Sequence, residues 1–277
     1  MENLLNKCHF GDCIETMRGM PAGIVQTCVT SPPYFGLRDY GHDGQIGLEA
    51  TPDEFIGKLV EVFREVKRVL RDDGTLWLNI GDSYNAHPGQ RKDTDKAGNK
   101  QQSVRGATAA PSRSVEGIKA KDLIGIPWML AFALRADGWY LRQDIIWNKP
   151  NVMPESVLDR CTRSHEYIFL LSKNNKYYFD NNAIKEETVD SLSKRNKRSV
   201  WTIPTKPYKG AHFATFPTAL IEPCILAGSQ VGSIVLDPFF GSGTTGESAI
   251  SLNRNFIGCE LNTDYKSLQD KRLAQVN

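Results

Sequence analysis

Short apolar runs alternate along the chain with longer stretches in which apolar residues recur every three or four positions, a pattern of strands and amphipathic helices taken in turn. Strands are predicted over 6–9, 24–30, 75–80, 141–147, 167–171, 233–236 and 255–259. Between the second and third lies the clearest helix. Thr51 is placed to cap it, Pro52 to occupy its first position and Glu54 to close a capping box, while Phe55, Leu59, Val62, Phe63, Val66, Val69 and Leu70 form one apolar stripe. Asp73-Gly74 then turns the chain into the next strand. Further helices are expected over 13–20, 122–134 and 218–227 and from Thr244 onward, and 167–171 with 177–179 reads as an antiparallel hairpin at a sheet edge. The expected class is α/β, a doubly wound, mostly parallel seven-stranded Rossmann-like sheet.

Two segments break the pattern. Residues 85–118 are rich in Gly, Ser, Gln and Lys without apolar periodicity and read as an insertion. Residues 181–212 are polar and basic, with Lys194-Arg195-Asn196-Lys197-Arg198 just before Trp201.

At 277 residues and 40% hydrophobic content the chain suits one domain with insertions. No apolar run approaches the ~20 residues of a membrane helix, and the amino terminus lacks a basic-then-apolar leader, so a soluble cytoplasmic protein is expected. The six cysteines form no C-x-x-C pair, and Cys8, His9 and Cys13 lack a fourth partner nearby, so no metal is expected and the thiols read as buried apolar groups in a reducing compartment. Net charge is +2, but unevenly spread: residues 85–121 carry eight Lys/Arg against three Asp/Glu, and 142–212 carry thirteen against eight. Basic segments on an acidic body suit a protein that presents one face to a polyanion.

The chemistry concentrates in two motifs. Thr30-Ser31-Pro32-Pro33-Tyr34 follows a strand, and Asp237-Pro238-Phe239-Phe240-Gly241-Ser242-Gly243-Thr244-Thr245 follows another, each where ligands sit in a doubly wound sheet. In the first, the Ser31 hydroxyl and the Pro32 carbonyl are hydrogen-bond acceptors, Pro32 and Pro33 stiffen the backbone without donating, and Tyr34 offers a face for stacking. In the second, small residues let the backbone approach a ligand closely. One βα unit later Glu260, followed by Asn262, ends a strand in a carboxylate that can accept from two vicinal hydroxyls. No Lys follows the glycines as a phosphate-binding Walker loop requires.

This pair of motifs, in this order, resembles the amino-methyltransferases of DNA, in particular their circularly permuted β group. The resemblance extends to 36–40, 77–84, 144–150 and 164–167 and thus across most of the chain. It implies S-adenosylmethionine (AdoMet) as cofactor, held by 237–244, Glu260 and Asn262, with Asp12 of Phe10-Gly11-Asp12 at the adenine, and Phe213, Phe216 and Pro217 at the methionine end. Asp12 as a helix N-cap is compatible with that role. Ser31, Pro32, Pro33 and Tyr34 would act on the amine of a flipped base. Arg38 and Lys149 would steady DNA or the extruded nucleotide, with Trp147 or Lys149 lining the base pocket and core or salt-bridge roles open for each. Lys194, Arg195, Lys197 and Arg198 would contact DNA within a recognition segment spanning 181–212. Double-stranded DNA is the implied substrate, and a second copy of the chain and a cognate restriction endonuclease are the implied partners.

Pro223-Cys224 is the dipeptide of cytosine ring-carbon methyltransferases, but it lies inside a predicted helix, and amine methylation needs no covalent intermediate. Ser at the head of the tetrapeptide leans toward the amine of cytosine position 4, with adenine N6 the alternative. Methylation of protein glutamine shares the chemistry but begins its tetrapeptide with Asn. A catalytically silent DNA-binding protein is the reading from another class, against which Ser31, Asp237 and Glu260 stand intact.

Overall fold

A computed structural model describes residues 3–39, 41–42, 44–85, 108–109, 115–188, 193–206 and 216–276. In chain order the elements are β1 (Lys7–Phe10), α1 (Cys13–Arg18), β2 (Val25–Thr30), β3 (Arg38–Asp39), α2 (Pro52–Val69), β4 (Leu70–Ile80), β5 (Thr108–Ala109), α3 (Ile126–Ala136), β6 (Tyr140–Asn148) and β7 (His165–Ser172). They continue with β8 (Glu186–Glu187), β9 (Lys194–Arg195), β10 (Val200–Thr202), α4 (Thr218–Gly228), β11 (Ile234–Asp237), α5 (Thr244–Ser251), β12 (Asn255–Glu260) and α6 (Lys266–Leu273).

One eight-stranded sheet runs in the order β1-β12-β11-β2-β4-β7-β6-β10. Every pairing is parallel except those of β7, which runs antiparallel to both β4 and β6. Helices cover both faces. Cys13 and Met17 of α1, the stripe of α2, and Ile126, Leu130 and Leu134 of α3 pack on one side. Leu220, Ile221 and Ile225 of α4 and Ala249 of α5 pack on the other. The seven expected strands are all present within a few residues, and β10 adds an eighth at the edge through its pairing with β6.

Three local expectations need correction. The antiparallel partners of β7 are β4 and β6, not 177–179, which forms no strand; there the Tyr178 amide donates to the Asp73 carbonyl (2.9 Å) and Phe179 stacks on Trp77. Helix α3 starts at Ile126 rather than near 122, because Asp82, just after β4, accepts from the amides of Gly125 (2.9 Å) and Ile126 (3.0 Å) and fixes the helix start there. Asp73-Gly74 lies within β4 at a register irregularity against β2, not in a free turn; a Cβ on Gly74 would meet the Arg71 carbonyl at 2.9 Å. Most of the 85–118 insertion lies outside the described residues, but its end is clasped by Asn85, which donates to the Ile118 carbonyl (2.7 Å) and accepts from the Val115 amide (2.8 Å).

The capping box of α2 forms as predicted, with Thr51 accepting from the Glu54 amide (3.2 Å) and Glu54 from the Thr51 amide (3.3 Å). On the opposite face Phe240 swings back under its own loop and stacks on Phe256 with ring centroids 5.2 Å apart. It fills the space over Gly258 of β12, where a Cβ would collide with the ring. The Gly258→Ala variant is therefore expected to be destabilised by ~1–3 kcal/mol through overpacking, read as a lower urea midpoint with unchanged slope. An unshifted midpoint would show that the ring can move aside.

Candidate active site at the carboxyl ends of the parallel strands

Because β1, β12, β11, β2, β4 and β6 share a direction, their carboxyl ends open on one edge of the sheet. Ser31–Tyr34 follow β2, Gly81 and Asp82 follow β4, Lys149 follows β6, the glycine loop follows β11, Glu260 ends β12 and Asp12 follows β1. The topology thus gathers residues from both ends of the sequence.

Asp237 joins the two motifs. Its Oδ1 accepts from the Thr30 hydroxyl (2.6 Å) and the Phe239 amide (3.0 Å), and its Oδ2 from the Thr245 hydroxyl (2.6 Å). Thr30 immediately precedes Ser31, so one carboxylate ties the Ser31–Tyr34 tetrapeptide, the glycine loop and the first turn of α5 together. The carboxylate is only 2% exposed, and burial pushes its pKa up to about 6 although all three donors pull it down.

Gly241 (φ +50°) and Gly243 (φ +88°) lie in the left-handed region and let the glycine loop turn sharply into α5. The Gly241 amide donates to Glu260 Oε2 (2.7 Å) and the Asn262 amide to Oε1 (2.8 Å), and burial raises the pKa of this carboxyl. Each Glu260 oxygen keeps acceptor capacity for a further donor. The Ser242 hydroxyl is buried with no hydrogen-bond partner among the described residues. Two glycines without side chains, a carboxylate with spare lone pairs and an unpartnered hydroxyl make a donor and acceptor set that fits AdoMet, whose sulfonium is cationic and whose ribose offers two hydroxyls. Other members of the predicted set make contacts within the fold. The Phe240 side chain faces the core, Pro238 is buried and Phe239 packs on the α1–α3 side. Thr244 accepts from buried Arg272, and the Asn262 side chain accepts from the Asp264 amide (2.8 Å). Asp12 caps α1, accepting from the Glu15 amide (2.9 Å).

Tyr34 is held from two sides. Its ring lies against Gly81, where a Cβ would come within 2.7 Å, and its hydroxyl donates to Glu166 Oε2 (2.8 Å). Burial, and next the charge of Glu166, hold this phenol far above its ordinary pKa, so it remains a donor. The Ser31 hydroxyl also bears on it. Glu166 further accepts from Asn79 Nδ2 (3.3 Å) and from Lys149, whose ammonium stands 4.1 Å from the Trp147 ring. A cleft of about 150 Å³ opens here, lined in part by Tyr34, Gly81, Lys149, Arg163, His165 and Glu166. Lys149 borders it, whereas Trp147 is buried and donates to the Ile203 carbonyl (2.8 Å).

Other predicted residues fall elsewhere. Arg195 (2.9 Å) and Arg198 (2.6 Å) both pair with Glu186 across the β8–β9 ribbon, Lys194 is exposed, and Lys197 stands 5.0 Å from the ring of Trp201, itself core. Arg38 lies in the β3–β5 pair. Phe216 packs on the α4–α5 side, Pro217 is buried at the start of α4, and Phe213 is outside the described residues. Cys224 is buried within α4, its thiol pKa pushed far up by burial, which suits no nucleophile. Among the described residues no cluster of three or more His, Cys, Asp or Glu could hold a metal ion, and no helix is long and apolar enough to cross a membrane. Thr30, Asn79, Asp82, Glu166 and Thr245 carry the geometry without having been assigned roles from sequence. Their one signal is a polar residue beside an element terminus: Thr30, Asn79 and Asp82 at or just after a strand end, Glu166 at the start of β7 and Thr245 in the first turn of α5.

The sequence profile of the DNA methylase family (N6_N4_Mtase) matches residues 25–271. The chain is similar to the Type II methyltransferases M.Cfr9I of Citrobacter freundii, 56% identical over 263 residues (95% of this chain, 86% of that one), and M.SmaI of Serratia marcescens, 54% identical over 278 residues (99% and 94%). In structure it resembles a protein of Thermus thermophilus described as a DNA modification methylase and solved with S-adenosyl-L-methionine, at a TM-score of 0.63 and 26% identity over 97% of this chain and 94% of that one. Fold, site and sequence together define a methyltransferase of nucleic acid. The chain belongs to the DNA methylase family.

A raised carboxyl pKa has a sign that can be tested. Folded Asp237 titrates near 6 against an ordinary 3.8, so between those values the folded chain binds more protons than the unfolded one, and this group's contribution to stability falls as pH rises through the window. Asp237→Asn keeps an acceptor for Thr30 and Phe239 and removes the titration. Melting temperatures from pH 4 to pH 7 should shift in favour of the variant relative to the natural chain, and parallel curves would contradict the assignment.

Proposed function

We propose that this chain transfers a methyl group from AdoMet to the exocyclic amine of a base rotated out of double-stranded DNA, with cytosine N4 as the target. The observation that carries the reading is the Thr30–Asp237–Thr245 connection, which fixes the acceptor tetrapeptide beside the glycine loop. The amine's lone pair is delocalised into the ring and is a poor nucleophile. Hydrogen bonds from its two protons to the Ser31 hydroxyl and the Pro32 carbonyl draw the nitrogen toward a tetrahedral shape and free the lone pair. Tyr34, clamped by Gly81 and Glu166, stacks on the extruded ring and sets its angle. AdoMet, when bound, would supply an electrophilic methyl on a sulfonium, whose C–S bond would break as the C–N bond forms, and the nitrogen's surplus proton would pass to solvent. Gly241, Ser242, Gly243, Glu260 and Asp12 would hold the cofactor, with Glu260 placed to accept from the ribose hydroxyls. Ser at the first position of the tetrapeptide supports cytosine over adenine. Basic segment 181–212 supplies DNA contacts, with exposed Lys194 meeting phosphate and Arg195 and Arg198 exchanging Glu186 for DNA.

Digestion of DNA from a methylation-free host expressing the chain should yield N4-methylcytosine; N6-methyladenine would overturn the choice of base, and no modified base the function itself. Within this mechanism Ser31→Ala should lower single-turnover methyl transfer by on the order of 10²-fold while AdoMet binding by calorimetry holds. Glu260→Ala should instead weaken AdoMet binding, and unchanged affinity there would place the ribose partner elsewhere.

A further inference from the structure

The loop from Lys149 to Ser164, between β6 and β7, follows a strand whose carboxyl end lies on the same edge of the sheet as Ser31 and Gly81. Val152 and Glu155 of this loop line the cleft beside Tyr34. Between them Met153 is 83% exposed, and Leu158 further along is fully exposed. Single exposed apolar residues are ordinary. Here, however, the loop that carries them is braced. Asn151 exchanges hydrogen bonds with Thr205, accepting from its amide (2.8 Å) and donating to its carbonyl (3.0 Å). Arg160 pairs with Glu155 (2.5 Å) and lies 4.0 Å from the Tyr84 ring, Asp159 pairs with Lys121 (2.7 Å), and Arg163 donates to the Asp82 carbonyl. Pro150 and Pro154 restrict the backbone on either side of Met153. Met153 is thus held out by a tied loop at the rim of the cleft, its thioether in water.

We infer that Met153 is a wedge that enters the DNA stack where the target base has left it. This rests on the proposed function, because it requires a base extruded into the Tyr34 cleft. Rotating a base out removes its stacking on both neighbours and leaves its partner base facing a gap. An unbranched, polarisable side chain can fill that gap and restore dispersion contacts on both sides, and apolar wedges of this size are used between base steps elsewhere. The surrounding cations are already engaged: Lys149 with Glu166, Arg160 with Glu155 and Lys121 with Asp159. The contribution of the loop is therefore apolar and should carry little salt dependence.

The test compares single-turnover methylation of two duplexes carrying a site mapped from modified host DNA, one with the target base paired and one with it mispaired so that extrusion costs less. Met153→Ala should slow the paired duplex by ~10-fold and the mispaired one by less than ~3-fold, with Met153→Leu restoring most of the rate. Val231→Ala, an equally simple truncation at an exposed site before β11 and so at the opposite end of the sheet, should match the natural chain on both. Equal loss on both duplexes, or no loss on the paired one, overturns the wedge while leaving the methyltransferase reading intact. Failure of the natural chain to methylate either duplex overturns both.

Discussion

A buried carboxylate with three donors is the constraint on which the rest of the site depends. Asp237 sits at the end of a central strand, where its charge is costly, and it survives there because Thr30, Thr245 and the Phe239 amide all point at it. Removing a donor would leave a buried acceptor short of a partner, so the three elements are held together by the cost of separating them. Through this bond the strand bearing the acceptor tetrapeptide and the loop bearing the glycines share one fixed relationship. A methyl transfer that demands near-linear approach of nitrogen, carbon and sulfur needs such fixity.

The second half of the site repeats the device with a different carboxylate. Glu166, at the start of β7, the antiparallel strand of the eight-stranded sheet, gathers Tyr34, Asn79 and Lys149. The reversal of β7 matters here. It brings the beginning of that strand to the same edge as the ends of its neighbours β4 and β6, so a carboxylate can reach the tyrosine of the motif after β2. Gly81 does the complementary work, leaving room for the Tyr34 ring where any side chain would collide with it. The Tyr34 ring, Ser31 and Pro32, and the glycine loop are thereby positioned by strand ends rather than by long loops, the more rigid arrangement.

Most of this architecture was legible from residues alone, for identifiable reasons. Strands buried on both faces announce themselves as apolar runs, and the α2 capping box is a local signal that tertiary context had no cause to override. The two functional motifs were visible because their chemistry sits in consecutive residues. What escaped was non-local. Nothing in the neighbourhood of Glu166 says that it faces Tyr34, 132 positions away, and nothing near Asp237 says that its partner is Thr30. Phe240 reads as part of a ligand loop until Gly258 and Phe256 are seen beneath it. The basic cluster near 195 reads as free charge until Glu186 is found between Arg195 and Arg198. The misplaced hairpin arm had a similar cause, since the aromatic run 177–179 suits stacking of Phe179 on Trp77 as readily as strand pairing.

The claim that Asp237 couples cofactor loop to acceptor tetrapeptide is tested most directly by Thr30→Val, which keeps the shape of the side chain and deletes the hydroxyl that reaches the carboxylate. The change leaves Ser31, Pro32, the glycine loop and Glu260 in place. Single-turnover methyl transfer at saturating AdoMet and DNA should fall by ~10-fold or more, because the tetrapeptide is no longer registered against the loop, while AdoMet affinity stays within ~3-fold. A transfer rate equal to that of the natural chain would contradict the account.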